Sequence, residues 1–265
     1  MYEARKIISI AMKDAVADGY IQKNPMKDVN EYASENPKIV IYTKEQITKL
    51  LAATYDYHSI YLEVLLAMFL GLRKGEICGL RYTDFDYEAK TVTIARQITN
   101  DYNVNVDGNM TYIVEGNIRT QKPPKSFSSY RTLRVPQFIF DELEIRKKEN
   151  EELLKRTRVT KEWKDYICLG RSGRIKSANT CLNALDTICK RNGLPKIGMH
   201  DLRHVYASIL IEMNVPIEKI SKLMGHKSIG TTFDIYCGII QGKDEIRNFI
   251  ADNLNPIKGV RRGSN

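Results

Sequence analysis

A mainly α-helical protein with one small antiparallel β-sheet, an α+β fold, is what this sequence predicts. Three observations point there. Apolar residues recur at helical spacing near both ends of the chain. Thr91 to Ile98 alternates apolar and polar residues with the period of a half-buried strand. Gly, Pro and Asn punctuate the changes between the two patterns.

Residues 1–28 open in a helical pattern, with Ile7, Ile8, Ile10, Ala11 and Ala15 apolar, and reach a stop at Gly19 and Asn24-Pro25. Residues 29–42 are polar and read as a linker to a larger domain, 43–254, followed by a basic tail, 255–265. Thr43 with Gln46 fits a capping box that opens a helix through Leu51. Ser59 to Leu70 is apolar on nearly every side, so this helix belongs at the centre of the core. Gly71-Leu72-Arg73-Lys74-Gly75-Glu76-Ile77 ends it and sets Arg73 where a buried element meets a turn. An arginine so placed either answers the helix dipole or holds an anion. Thr91 to Ile98 is the first strand, Met110 to Val114 the second after a turn at Asp107-Gly108, and Arg131 to Val135 the third. The connection Lys122-Pro123-Pro124-Lys125-Ser126, with two prolines, is a loop or edge. Asp141 to Arg158 predicts a heavily charged helix with a wide solvated face and no assigned chemistry, and Trp163 to Leu169 a short extended run. Ser177 caps a helix to Lys190 that Asn192-Gly193 stops, and Asp244 to Leu254 again has helical spacing.

The net charge of +9 implies an anionic partner, nucleic acid or a membrane surface, and charge alone does not choose between them. The longest apolar run, Tyr61 to Leu72, is interrupted by Glu63 and is too short to span a bilayer, and no signal-peptide pattern opens the chain. The expectation is therefore a cytoplasmic protein without a membrane partner. Cys78, Cys168, Cys181, Cys189 and Cys237 are odd in number and lack C-x-x-C spacing, which predicts reduced thiols rather than a disulfide framework or zinc site.

The stretch from Met199 to Gly238 concentrates the chemistry. On a helix, His200, Arg203 and His204 fall at i, i+3 and i+4 and share a face; His226 and Tyr236 follow after breaks at Pro216, Gly225 and Gly230. Such a set suits attack of a tyrosine hydroxyl on a phosphodiester. Charge gathers on the non-bridging oxygens, which arginine forks such as Arg73 and Arg203 can hold. His200 and His226 can exchange protons near neutral pH, a mobile lysine such as Lys125 can protonate the departing alkoxide, and Tyr236 would form the covalent intermediate. No metal or other cofactor is required, because the side chains carry the compensating charge. A rival is metal binding: H-D-x-x-H at 200–204 is one carboxylate length from the H-E-x-x-H zinc pattern. Arg203 on the same face and the lack of a third ligand pattern weigh against it.

In order along the chain, Gly71-Leu72-Arg73-x-Gly75-Glu76-Ile77, Pro124-Lys125-Ser126 with Ser129 to Thr132, His200-x-x-Arg203-His204, Leu223-x-Gly225-His226 and Tyr236 resemble the motifs of the tyrosine recombinases, the phage-integrase family. Integrases of Gram-positive conjugative transposons are the nearest likeness. The resemblance covers roughly residues 1–250 and implies a tyrosine-recombinase catalytic domain over 43–254. It implies that Arg73, Lys125, His200, Arg203 and His226 activate the phosphate, with Glu76 and His204 supporting, and that Tyr236 attacks DNA to leave a 3′-phosphotyrosine. The spacing to Ser129 and Arg131 favours Lys125 over Lys122. Double-stranded DNA, other protomers of a DNA-bound tetramer, and an excisionase or host DNA-bending protein are the partners it implies. Residues 1–28 match only the last helix of the family's core-binding domain, so the chain is expected to be a fragment or a shortened homologue. Tyr82 stands where the family often has tryptophan. The alternative from a different class is a DNA-binding module without catalysis, for which the basic charge suffices.

Overall fold

The computed structural model describes residues 2–29, 40, 42–106, 112–123, 129–157 and 161–241. The chain divides into two compact units, Met1–Lys38 and Ile39–Asn265. In the first, α1 (Tyr2–Ala17) is followed by a 3-10 turn, Pro25–Asp28, capped by Asn24, whose side chain accepts from the Met26 amide. Asn24 also donates to the Ser9 carbonyl at 3.0 Å, which returns the turn onto the helix, while Ile7, Ile8 and Ile10 stay exposed.

The second unit is mainly helical with small antiparallel sheets. Its first helix, α2 (Lys44–Asp56), opens with the expected capping box between Thr43 and Gln46 and runs one turn beyond Leu51. Behind it α3 (Tyr61–Leu70) buries Leu62, Val64, Leu65, Leu66, Met68 and Leu70 and is covered on nearly every side, with Phe69 exposed. Gly71, in the left-handed region at φ 60°, ends α3, and a Cβ there would overlap the ring of Tyr206. Gly71→Ala combines left-handed strain with overpacking, so its unfolding midpoint in urea is expected to fall by the equivalent of about 2–4 kcal/mol.

A short helix α4 (Lys74–Gly79) leads to β1 (Phe85–Asp86), β2 (Thr91–Ile94), β3 (Gln97–Val106), β4 (Tyr112–Lys122) and β5 (Arg131–Arg134). β1, β2 and β5 form one antiparallel sheet in that order, with Val92 opposite Leu133 and Thr93 opposite Thr132, whereas β3 and β4 pair separately. The expected single strand from Thr91 to Ile98 is therefore two, broken after Ile94. The break follows from Arg96, which turns aside to pair with Asp84, and from Gly79, where a Cβ would stand only 3.1 Å from the Arg96–Gln97 backbone. The second strand extends well past Val114. The Asp107-Gly108 turn, Lys125, the Asp244 to Leu254 helix and the tail 255–265 lie outside the described residues.

The charged helix from Asp141 is α5 (Gln137–Arg156); it has the expected wide exposed face, but part of its charge is buried. Besides Ile139, Phe140 and Leu143 it buries Glu142, Arg146 and Asn150. Arg146 forks onto Glu63 of α3 at 3.1 and 3.3 Å, and Lys176 donates to the same carboxylate and to the Ser59 carbonyl. Burial opposes ionisation of Glu63, yet Arg146 and Lys176 outweigh it and hold the carboxyl down at about 2. Charge on this helix is thus partly internal, matched by a carboxylate 83 residues away. Trp163 to Leu169 contains isolated bridges, Arg81 with Tyr166 and Leu169 with Ile175. Then come α6 (Ala178–Arg191), capped by Ser177 as expected, α7 (Met199–Glu212), α8 (Ile217–Met224) and α9 (Ile229–Gln241). Among the described residues no helix is long and apolar enough to cross a membrane.

Candidate active site

Two left-handed glycine turns frame the site. Gly71 ends α3 and Gly225, at φ 63°, ends α8, each leaving carbonyls at a helix C-terminus without a helical partner. Arginines satisfy them. Arg203, on the second turn of α7 and only 1% exposed, donates from Nη1 to the Gly71 carbonyl and from Nη2 to the Met224 carbonyl. Arg73 donates from Nη2 to the Gly225 carbonyl at 2.7 Å. The dipoles at both helix ends favour these cations. Asp201 caps α7 by accepting from the Gly198 amide at 2.8 Å, which leaves the first turn free to present His200.

Glu76 lies beneath the arginines. One of its oxygens accepts from Arg73 Nη1 at 2.7 Å and the other from the Arg73 amide at 2.9 Å, closing a side-chain cap on α4. Arg131 of β5 forks onto the same two oxygens at 3.2 and 2.9 Å. Burial opposes the charge on Glu76, but the Arg131 and Arg73 guanidiniums and the amide prevail and keep its carboxyl below the usual range. The cluster of Arg73, Arg131 and Arg203 therefore has one carboxylate bonded to two of its three guanidiniums. Arg203 is pushed down first by burial and then by Arg73.

His226 follows Gly225 directly, and its Nδ1 lies 2.8 Å from Thr232 Oγ1 of α9. Burial, then Arg203 and Arg73, depresses it to about 3. His204 is depressed to about 4 by burial and His200, and its Nδ1 is buried without a hydrogen-bond partner among the described residues. Its ring meets that of His200 edge-on, with centroids 4.6 Å apart. His200 opens onto the surface and is lowered by partial desolvation and by Arg203. A folded-state value below the ordinary 6.5 means that neutral imidazole is favoured. Its contribution to stability is complete above pH 6.5 and is lost as pH falls toward 3–4. Unfolding at pH 5 is expected to take up about two protons, one each on His204 and His226, seen as a urea midpoint falling from pH 7 to pH 5, with the slope roughly halved in His226→Gln.

A cleft of about 750 Å³ opens beside the cluster, with Arg73, Lys74, Gln97, Asn100, Asn179 and His200 on its walls, whereas Arg203, His204 and His226 do not line it. Of the residues expected from sequence, the structure gathers Arg73, Glu76, His200, Arg203, His204 and His226. Tyr236 lies one turn beyond Thr232 on α9, and its side chain, like Lys125, is outside the described residues. Sequence reasoning passed over Arg131 and Thr232. Arg131 entered only as a spacing mark, and a Thr at the start of a helix gives no signal of its own. Among the described residues no three His, Cys, Asp or Glu side chains are placed to share an ion.

The architecture is that of the tyrosine-recombinase catalytic domains. It is similar to the Tn1549 transposon integrase in complex with transposon right end DNA, with a TM-score of 0.68 at 20% identity over 92% of this chain and 78% of that one. It is also similar to a lambda integrase dimer bound to a core site, with a TM-score of 0.55 at 17% identity over 87% and 57%. In sequence, residues 142–240 match the phage integrase family. The chain is 32% identical to the XerC-like tyrosine recombinase of Caldanaerobacter subterraneus subsp. tengcongensis over 85% of its length and 59% of the relative's. It is 26% identical to the Tn916 transposase of Enterococcus faecalis over 84% and 54%. The chain thus spans little more than half the length of these curated relatives.

Proposed function

We propose that this chain carries the strand-transfer centre of a site-specific DNA recombinase that integrates or excises a mobile element. The observation that supports it most is that Arg73 and His200 stand on the wall of one open cleft, with Arg203 and His226, from α7 and the turn after α8, packed next to them beneath it. In this reading Arg73, Arg203 and His200 bind the non-bridging oxygens of a phosphodiester. The Tyr236 oxygen bonds to phosphorus and the bond to the 5′-oxygen breaks. The phenolic proton passes to His226, which its surroundings keep neutral and whose protonation the negative phosphate would favour against the arginines, and Lys125 protonates the leaving oxygen. Glu76 and His204 support the arginines and His200. The phosphotyrosine stores the bond energy for rejoining, so neither metal nor nucleotide enters.

Double-stranded DNA is the substrate in this proposal. Protomers of a DNA-bound tetramer and an excisionase or host DNA-bending protein complete the partners, in the cytoplasm. Residues 1–28 are proposed as the last helix of a core-binding domain and 43–254 as the catalytic domain. The deciding experiment incubates the chain with a nicked suicide duplex in chelator and looks for a protein–DNA adduct that survives detergent, with the modified peptide mapped by mass spectrometry. Adduct on the α9 peptide is the expected result. Salt-sensitive binding with no adduct would make the chain a binding module, and adduct that appears only with a divalent ion would overturn the metal-free mechanism.

A further inference from the structure

We infer that Arg131 is a positioning residue that ties Arg73 to the strand following the Lys125 connector, an inference that rests on the recombinase reading above. The side chain of Arg131 is 7% exposed and makes three bonds: two to the Glu76 carboxylate and one, from Nη1 at 3.1 Å, to the Ser129 carbonyl. Each Glu76 oxygen thus takes one bond from Arg131 and one from Arg73, counting the Arg73 amide.

The arrangement decides how firmly Arg73 is held. Arg73 and Glu76 alone are an i,i+3 pair with the arginine 32% exposed, and such pairs are weak and mobile. The fork from Arg131 fixes both carboxylate oxygens in one plane, and the fixed carboxylate then orients the Arg73 guanidinium and caps α4. The Ser129 carbonyl gives the same guanidinium a grip on the end of the connector that carries Lys125. Arg131 lies on β5, where Ile94 of β2 is its partner across the sheet, so the sheet itself anchors this link. A role in stability alone fits poorly with its Nε, which is buried without a partner among the described residues.

The test compares Arg131→Met, Arg131→Lys, Glu76→Gln and the Arg131→Met/Glu76→Gln double variant by three readouts. These are amide hydrogen exchange over 73–77, affinity for intact duplex, and single-turnover adduct formation on the nicked duplex. In Arg131→Met, exchange over 73–77 is expected to rise and adduct formation to slow by about 100-fold, the scale of a small misplacement of a reacting group, with duplex affinity unchanged. Arg131→Lys, which reaches one oxygen at a time, should fall between, and the double variant should be no slower than Glu76→Gln alone. Wild-type exchange and rate in Arg131→Met, losses that multiply in the double variant, or affinity that falls in step with rate would each overturn the inference. If Arg131→Met does not fold, Arg131→Lys carries the same criteria. Faster exchange in Arg131→Met with no adduct from the wild-type chain would sink the recombinase reading while the Arg131–Arg73 link stands.

Discussion

Tyr236→Phe is expected to abolish covalent capture of DNA, by at least about 10⁴-fold, the order of loss seen when a nucleophile is deleted from a site that otherwise stays intact. Phenylalanine keeps the ring and the helical position on α9 and removes only the oxygen that would bond to phosphorus. Binding to duplex DNA should persist with its salt dependence, because in the proposed function the phosphate contacts come from Arg73, Arg203 and His200 rather than from a neutral phenol. Denaturing gels of the nicked-duplex reaction, read beside a binding titration, separate the two effects. Adduct retained by the variant would move the nucleophile elsewhere, and Tyr206, close to Arg131 and Arg203, would be the first residue to examine. Its ring covers Gly71 and burial raises its hydroxyl, which argues for a packing role.

The second large effect concerns stability. Glu63→Ala is expected to destabilise the Ile39–Asn265 unit by about 3–5 kcal/mol, since it strands Arg146 and Lys176 beside an empty carboxylate position in the interior. That is a large fraction of the 5–15 kcal/mol typical of a domain, so a urea midpoint should fall steeply or the chain should fail to accumulate. Replacing Glu63, Arg146 and Lys176 together by methionine should recover much of the loss, because the penalty comes from unpaired charge rather than lost volume. A triple variant as unstable as Glu63→Ala would show that the carboxylate holds α3, α5 and the Lys176 segment by geometry instead.

These two cases mark what the sequence could and could not disclose. Local signals were legible: the Thr43–Gln46 cap, the Ser177 cap, the largely apolar α3 and the glycine that ends it each depend on residues within a few positions. So was the helical face of His200, Arg203 and His204, since periodicity alone assembles it. Pairings across long separations were not. Nothing around Arg146 announces that Glu63 waits inside the core, and a run of charge reads as solvated until its partner is known. Arg131 was hidden likewise: its target, Glu76, is 55 residues earlier and on another element. The break after Ile94 also has remote causes, Asp84 and Gly79 drawing Arg96 and its backbone out of the strand.

The anchoring of Arg73 and Arg203 on main-chain oxygens at Gly71, Met224 and Gly225 bears on attempts to redirect such a protein to new targets. Side-chain libraries along the outer wall, at Gln97, Asn100 and Asn179, leave those oxygens where they are, so under the proposed function recognition would vary while the arginine cluster keeps its shape. A lysine in place of Arg203 offers a single nitrogen and can latch only one of the two helix ends. The apparently mild exchange is the one a protein engineer should avoid.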